Sequence, residues 1–218
     1  MLFAGIDEAG RGPVIGPLVI AVVAMEEQDL PKLQALEPKD SKLLTPKQRS
    51  IMYKRIVKVA KIYKILIIEP IEIDQELNSD SSNLNWLEAK KTAELINELN
   101  ADTVYIDCPS PNIPSYTNYL KNLLKKQTIR LVCDHKAESK YPLVAAASIL
   151  AKVTRDKEIK ELQKVIPEDI GSGYPSDPTT QKFLKENYEK YSEIFRKTWA
   201  PYKQIIYGKN QHSLKKFL

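Results

Sequence analysis

Leu2-Phe3-Ala4-Gly5-Ile6-Asp7-Glu8-Ala9-Gly10-Arg11-Gly12-Pro13 is the most informative stretch of this 218-residue chain. An apolar run, Leu2 to Ile6, leads into two acids and then into a glycine–arginine–glycine turn. The apolar run reads as a strand. Val14 to Met25, rich in valine and isoleucine, reads as a second strand, and the Gly and Pro residues between the two mark a strand pair. The glycines do not make a dinucleotide loop. After Gly10 and Gly12 the next glycine is Gly16, which breaks the required spacing, and a strand follows where that loop would open a helix. They serve another end: glycine lets a backbone approach a ligand closely and offer its N–H groups. Arg11 between them carries a fork of donors matched to phosphate.

The same alternation continues outward. Thr45-Pro46 is an N-cap followed by proline at the first helical position, so a helix is expected to about Ala60. Ile62 to Ile68 is a third strand. Asn85 to Asn100 shows helical periodicity, and Thr103 to Ile106 is a fourth strand ending at Asp107. Tyr116 to Leu124 reads as helix, Ile129 to Cys133 as a fifth strand, and Leu143 to Leu162 as a helix with an alanine-rich first half. Strands linked by helical stretches imply an α/β layer fold with a mixed sheet. From about residue 176 the pattern is helical and aromatic (Phe183, Tyr188, Tyr191, Phe195, Trp199, Tyr202), a C-terminal helical extension whose aromatics are mostly core. No internal repeat or low-complexity tract is present.

Composition sets outer limits. With 43% hydrophobic and 28% charged residues the chain suits one main globular domain rather than a disordered chain. A formal charge of +5 is compatible with a polyanionic partner without requiring one. The two cysteines, Cys108 and Cys133, fit neither a zinc pattern nor a disulfide framework, which favours a reduced, cytoplasmic setting. No signal peptide is expected, and the longest apolar run, Leu18 to Met25, is too short to span a bilayer.

Asp7 and Glu8 follow the first strand and Asp107 the fourth. Ligand sites in open α/β sheets gather where strands end. Acids clustered there repel one another and resist burial. A divalent cation relieves both problems, and an all-oxygen ligand set suits Mg²⁺ or Mn²⁺. Acids for a metal beside Gly-Arg-Gly for phosphate outline a phosphodiesterase site.

Four blocks, in order, resemble the ribonuclease HII family. They are Ile6-Asp7-Glu8-Ala9-Gly10-Arg11-Gly12-Pro13, Asp40-Ser41-Lys42-Leu43, Ala145 to Asp156, and Gly171-Ser172-Gly173-Tyr174-Pro175-Ser176-Asp177. The resemblance implies a ribonuclease H-like fold, a mixed five-stranded sheet flanked by helices, within a catalytic domain of residues 1–207. It implies a metal-dependent endonuclease that cuts the RNA strand of RNA–DNA hybrids, including 5′ of a single ribonucleotide in duplex DNA. Two metal ions are implied, as are 3′-hydroxyl and 5′-phosphate products and duties in primer removal or ribonucleotide repair. Family members use four acids. Asp7, Glu8 and Asp107 match three; Glu138 takes the fourth position, a departure from the usual aspartate, with Asp134 as competitor. The resemblance assigns substrate contacts to Gly10, Arg11, Gly12, Ser41, Lys42 and Tyr174, the tyrosine against a sugar. Ser148, Lys152 and Arg155, four and three residues apart, share a helix face suited to phosphates. His135 is expected to be a surface imidazole without a catalytic duty.

Residues 208–218 read as a flexible tail. Gln211, Leu214, Phe217 and Leu218 resemble a sliding-clamp-binding peptide, with Leu218 in place of the usual second aromatic. The expected partners are therefore hybrids, ribonucleotide-containing DNA and a sliding clamp, for a monomer that engages no membrane. Two rival readings remain at this point. A DNA nuclease of the same broad fold would cut an all-DNA duplex equally well. A non-catalytic hybrid-binding module would bind without cutting at any metal concentration. A related type III enzyme normally carries an extra N-terminal domain.

Overall fold

The computed structural model describes residues 1–38 and 44–214, with side chains as far as Gly208. Five strands are present among them: β1 (Leu2–Ala9), β2 (Leu18–Glu26), β3 (Ile62–Ile68), β4 (Thr103–Asp107) and β5 (Arg130–Asp134). The α-helices in chain order are α1 (Leu30–Gln34), α2 (Pro46–Val59), α3 (Pro70–Leu77), α4 (Leu84–Asn97), α5 (Ile113–Leu123), α6 (Pro142–Val165), α7 (Pro178–Asn187) and α8 (Ala200–Leu214). The chain divides into two compact units. One comprises residues 1–9, 19–67 and 83–155; the other comprises 10–18, 68–82 and the chain from 156 onward.

The first unit holds the sheet, in the order β3-β2-β1-β4-β5. β1 pairs antiparallel with β2 from Leu2↔Glu26 to Ala9↔Val19, and parallel with β4 from Phe3↔Thr103 to Ile6↔Ile106. β5 is parallel to β4, with Asp107 opposite Asp134. The sheet is therefore mixed. β2 is buried along all but its last residue, as an apolar run between two neighbouring strands should be. Its alternate residues Val19, Ala21, Val23 and Met25 join Leu33, Ile56 and the α6 residues Leu143, Ala146, Ala147 and Leu150 in one core. Each fully buried Val or Leu there contributes about 1.5–3 kcal/mol. α6 lies so close to β1 that a Cβ on Gly5 would stand 2.3 Å from the Leu143 carbonyl carbon. Only glycine permits that approach.

α2 starts as its cap residues require. Thr45 Oγ1 accepts from the Gln48 amide at 3.3 Å, and Gln48 Oε1 accepts from the Thr45 amide at 2.8 Å, a reciprocal capping box. Elsewhere the sequence reading needs correction. β1 does not stop at Ile6 but runs through both acids, because β2 still pairs there, Asp7↔Ala21 and Glu8↔Ile20. The second strand starts at Leu18 rather than Val14, after Gly16 takes a left-handed φ of 80°. The short helices α1 and α3 were not expected.

In the second unit Val14 and Ile15 join Ile159, Ile166, Phe183, Leu184, Tyr188, Phe195 and Tyr202 in a separate core. Of the aromatics expected to be mostly core, Phe183, Tyr188, Phe195 and Tyr202 are buried, and Tyr191 and Trp199 are half-buried against them; Phe183 stacks on Tyr191 at 5.8 Å, and Phe195 packs on Tyr202 at 5.9 Å. α8 continues to Leu214, so the stretch read as a flexible tail from 208 begins within a helix. Gln211 and Leu214 fall where side chains are not described, and Ser41, Lys42, Phe217 and Leu218 lie outside the described residues. Among the described residues no helix is long and apolar enough to cross a membrane.

Candidate active site

Parallel pairing brings the first two acids together. The β1–β4 ladder ends at Ile6↔Ile106, so Asp7 and Asp107 are the next residue on each of two adjacent parallel strands. Carboxylate oxygens of Asp7, Glu8 and Asp107 all lie within 4.8 Å of one another. Asp7 is the most buried, 6% exposed. Its Oδ1 accepts from the Glu8 amide at 2.7 Å. Burial pushes the Asp7 carboxyl well above the usual carboxylate range, and the charges of Glu8 and Asp107 push it further. The Ser148 side chain and the Glu8 amide, both hydrogen-bonded to it, pull the other way without overcoming the rise. Three converging carboxylates that resist ionising together form a hard, all-oxygen donor set, which fits a divalent cation of the Mg²⁺ or Mn²⁺ kind.

The competitors for the fourth acid have different surroundings. Just after β5, a 3₁₀ turn at Ala137–Ser139 carries Glu138. The Ala137 amide donates to Asp107 Oδ1 at 2.9 Å, which ties this turn to the acid cluster. One carboxylate oxygen of Glu138, Oε2, is buried. Glu138 is nevertheless not one of the three acids within the 4.8 Å group. Asp134 shares a register position with Asp107, but its Oδ2 accepts from Lys140 Nζ at 2.6 Å. That hydrogen bond holds the Asp134 carboxyl below its usual range. His135 is exposed, as expected, with Nε2 2.8 Å from the Ser110 carbonyl oxygen.

The second unit assembles the other signature residues. Gly10 has a φ of 86°, in the left-handed region that a side chain disfavours. Gly12 is exposed, and the Tyr174 ring is the nearest group to where its Cβ would stand, with Cε1 at 3.7 Å. The carbonyl of Gly173 accepts from the amides of Val14 at 2.9 Å and Ile15 at 3.3 Å. Thus the Gly-Arg-Gly turn and the tyrosine loop, some 160 residues apart in sequence, are stitched together. Asp177 shapes the tyrosine loop, accepting from the Ser172 amide at 2.7 Å and the Thr179 amide at 3.0 Å. Those bonds, the Ser172 amide first, lower its carboxyl to about 2.

A family description, Ribonuclease HII, fits residues 4–202. The chain belongs to the ribonuclease HII family. Ribonuclease HII of Pyrococcus furiosus is 42% identical over 226 aligned positions, which cover 100% of this chain and 98% of the relative. The crystal structure of ribonuclease H2 from Pyrococcus horikoshii OT3 superposes with a TM-score of 0.85 at 40% identity, covering 94% of this chain and 97% of that one. The PCNA:RNase HII complex from Archaeoglobus fulgidus gives 0.81 at 38% identity, covering 91% and 95%. As a member of that family, the chain has the ribonuclease H-like α/β fold and is a metal-dependent hydrolase, an endoribonuclease of RNA–DNA hybrids.

The face Ser148–Lys152–Arg155 divides. Ser148 is buried, and its side chain hydrogen-bonds to the Asp7 carboxylate. Arg155 is 2% exposed. Its guanidinium is thus enclosed by protein. Lys152 alone of the three is partly exposed. The Ser148–Asp7 bond is not legible in the sequence, where Ser148 reads only as a member of the face it shares with Lys152 and Arg155.

Proposed function

We propose that the chain cuts RNA–DNA hybrids, and duplex DNA on the 5′ side of a single embedded ribonucleotide, leaving a 3′-hydroxyl and a 5′-phosphate. The observation that carries this reading is the meeting of Asp7, Glu8 and Asp107 within 4.8 Å on the adjacent parallel strands β1 and β4. Asp7 and Asp107 would hold two divalent ions, Mg²⁺ or Mn²⁺, with Glu8 and Glu138 completing the ligand set. When bound, such ions supply an activated water and neutralise charge on the phosphodiester. Ser148 keeps Asp7 aimed at the metal position. Water adds to phosphorus, the bond from phosphorus to the upstream O3′ breaks, and that oxygen leaves as the hydroxyl once protonated.

Selection of RNA rests on the 2′-hydroxyl, which separates ribose from deoxyribose at a given sugar. In this reading the backbone of Gly10, Arg11 and Gly12 recognises it, Tyr174 packs on the neighbouring sugar, and Ser41, Lys42 and Lys152 add polar or phosphate contacts. The position of the Tyr174 ring against Gly12 supports that pairing. Such a cut serves ribonucleotide removal and primer removal alike.

The test uses a DNA duplex carrying one ribonucleotide, with Mg²⁺ or Mn²⁺, beside an all-DNA duplex and an Asp7→Asn variant. One cut 5′ of the ribonucleotide, absent in both controls, is the expected result. Equal cutting of the all-DNA duplex would replace this reading with a DNA nuclease; binding without cleavage in either metal would replace it with a hybrid-binding module.

The tail residues Gln211, Leu214, Phe217 and Leu218 are proposed to dock on a sliding clamp, as a short helical turn plugging an apolar pocket. The likeness to an RNase HII seen in complex with PCNA supports this. A peptide of residues 208–218 should bind the clamp, and no binding at high micromolar concentration would overturn the proposal.

A further inference from the structure

The Gly-Arg-Gly turn poses a physical problem. Two glycines in three residues leave its backbone freer than almost any other tripeptide, yet it is proposed to recognise one hydroxyl group. Something must hold it. The segment Arg196 to Trp199, in the same compact unit, does so by capturing its carbonyls. Arg196 Nη2 donates to the Gly10 carbonyl at 2.7 Å, and Nη1 donates to the Arg11 carbonyl at 3.2 Å. Nε of the same side chain donates to the Gly16 carbonyl at 3.0 Å. Trp199 Nε1 donates to the Gly12 carbonyl at 3.2 Å, and its ring lies 4.8 Å from the Arg196 guanidinium carbon. Arg196 has no exposed surface.

Peptide geometry turns these bonds into a statement about the donors. In a trans peptide the C=O and the following N–H point in opposite directions, and no peptide bond here is cis. Anchoring the Gly10 carbonyl on Arg196 therefore turns the Arg11 N–H away from the guanidinium. Anchoring the Arg11 carbonyl does the same to the Gly12 N–H. The next peptide ends at Pro13, which has no N–H, so its only polar group is the carbonyl that Trp199 takes. Every carbonyl of the tripeptide is engaged on one side, and its amides at Arg11 and Gly12 are left facing the other. Arginine suits this duty because its planar guanidinium presents several fixed donors at once; a lysine ammonium does not.

The clamp is itself braced. Asp74 on α3 accepts from the Lys197 amide at 2.7 Å, the Thr198 amide at 2.9 Å and the Thr198 hydroxyl at 2.6 Å. The Arg196 amide donates to the Val14 carbonyl at 2.9 Å, and the Gly16 amide donates to the Ile194 carbonyl at 2.9 Å.

We infer that Arg196 and Trp199, braced by Asp74, are positioning residues for sugar selection: they orient the Arg11 and Gly12 amides that meet the 2′-hydroxyl. The inference rests on the proposed reading of that hydroxyl by this turn. The test compares wild type with Trp199→Phe, which keeps a ring but loses the donor, and with Arg196→Lys. For each, KM is measured on a single-ribonucleotide duplex, and Ki is measured for an all-DNA duplex as competitor. The ratio of Ki to KM should fall at least fivefold in Trp199→Phe and further in Arg196→Lys, while Ki stays within twofold and the Trp199→Phe melting temperature holds. If Arg196→Lys does not fold, Trp199→Phe decides alone. An unchanged ratio, or KM and Ki rising together, overturns the inference while leaving hybrid cleavage intact. A wild-type protein that cuts the ribonucleotide duplex but shows no preference over all-DNA overturns the reading of the hydroxyl, and this inference with it.

Discussion

Replacing Asp7 by asparagine should make the metal-free protein more stable while abolishing its response to metal. Asp7 is 94% buried, the complement of its 6% exposure, and its carboxylate faces those of Glu8 and Asp107 within 4.8 Å. At that separation each like-charged pair costs ~3 kcal/mol with an effective dielectric of about 20. Protonation caps the total, since the group takes up a proton before bearing the full repulsion. Asn Oδ1 can still accept from the Glu8 amide, so that bond survives the change. A net gain of about 2 kcal/mol at neutral pH follows, or about 4–8 °C in Tm for a chain of this length. The pH dependence has a definite sign. The folded-state pKa of Asp7 is raised, so the folded form binds more protons than the unfolded form between the ordinary carboxylate value and the raised one. Wild-type stability therefore falls as pH climbs through that window. The variant escapes this loss, so its advantage should be small near pH 4 and full at neutral pH. Thermal unfolding in EDTA across that range measures the gap. Adding Mn²⁺ should raise the wild-type Tm, because a ligand bound only by the folded state stabilises it, and should leave the variant unmoved. An asparagine variant no more stable than wild type in EDTA at neutral pH would refute the electrostatic account of the acid cluster.

Other substitutions separate the remaining roles. Glu138→Gln should lower kcat/KM on a hybrid by about a hundredfold, or ~3 kcal/mol; Asp134→Asn, whose carboxylate already sits on Lys140, should stay within about threefold, or under ~1 kcal/mol. The reverse ranking would transfer the fourth-acid role to Asp134. Gly5→Ala places a Cβ 2.3 Å from the Leu143 carbonyl carbon and should cost about 3 kcal/mol by overpacking; calorimetry showing an unchanged Tm would deny the close approach of α6 to β1. Asp177→Asn should raise KM severalfold with kcat unchanged, because the bonds shaping the Tyr174 loop weaken. With a pKa of about 2, Asp177 itself adds no pH dependence above pH 4, which a wild-type KM–pH profile will check.

Much of the sheet was legible because its signals are local. β3 was read at its observed bounds, and the Thr45-Pro46 cap located α2, since each depends on a few adjacent residues. The acids were read correctly as strand-end groups in the case of Asp107, but Asp7 and Glu8 lie on the strand itself. That placement depends on the β2 ladder opposite them, a non-local pairing. α1 and α3, five and eight residues long, are too short for helical periodicity to declare itself. In the site, three acids and the glycines announced themselves through residue type and order. Ser148 stood out only as part of the face it shares with Lys152 and Arg155; its bond to Asp7 joins a helix to a strand distant in sequence and leaves no local signal. Arg196 was harder still: its partner carbonyls are 180 to 186 residues away, and backbone acceptors leave no trace in side-chain sequence.

The place of β1 inside the sheet bears on how the molecule fails when heated. A strand laddered on both sides opens only when the sheet opens, so the amides of Ala4, Gly5 and Ile6 should belong to the slowest-exchanging class. Asp7 follows directly on that stretch. Fraying at helix ends or loops can proceed without displacing its backbone, and loss of the metal-binding geometry on warming then coincides with global unfolding rather than preceding it.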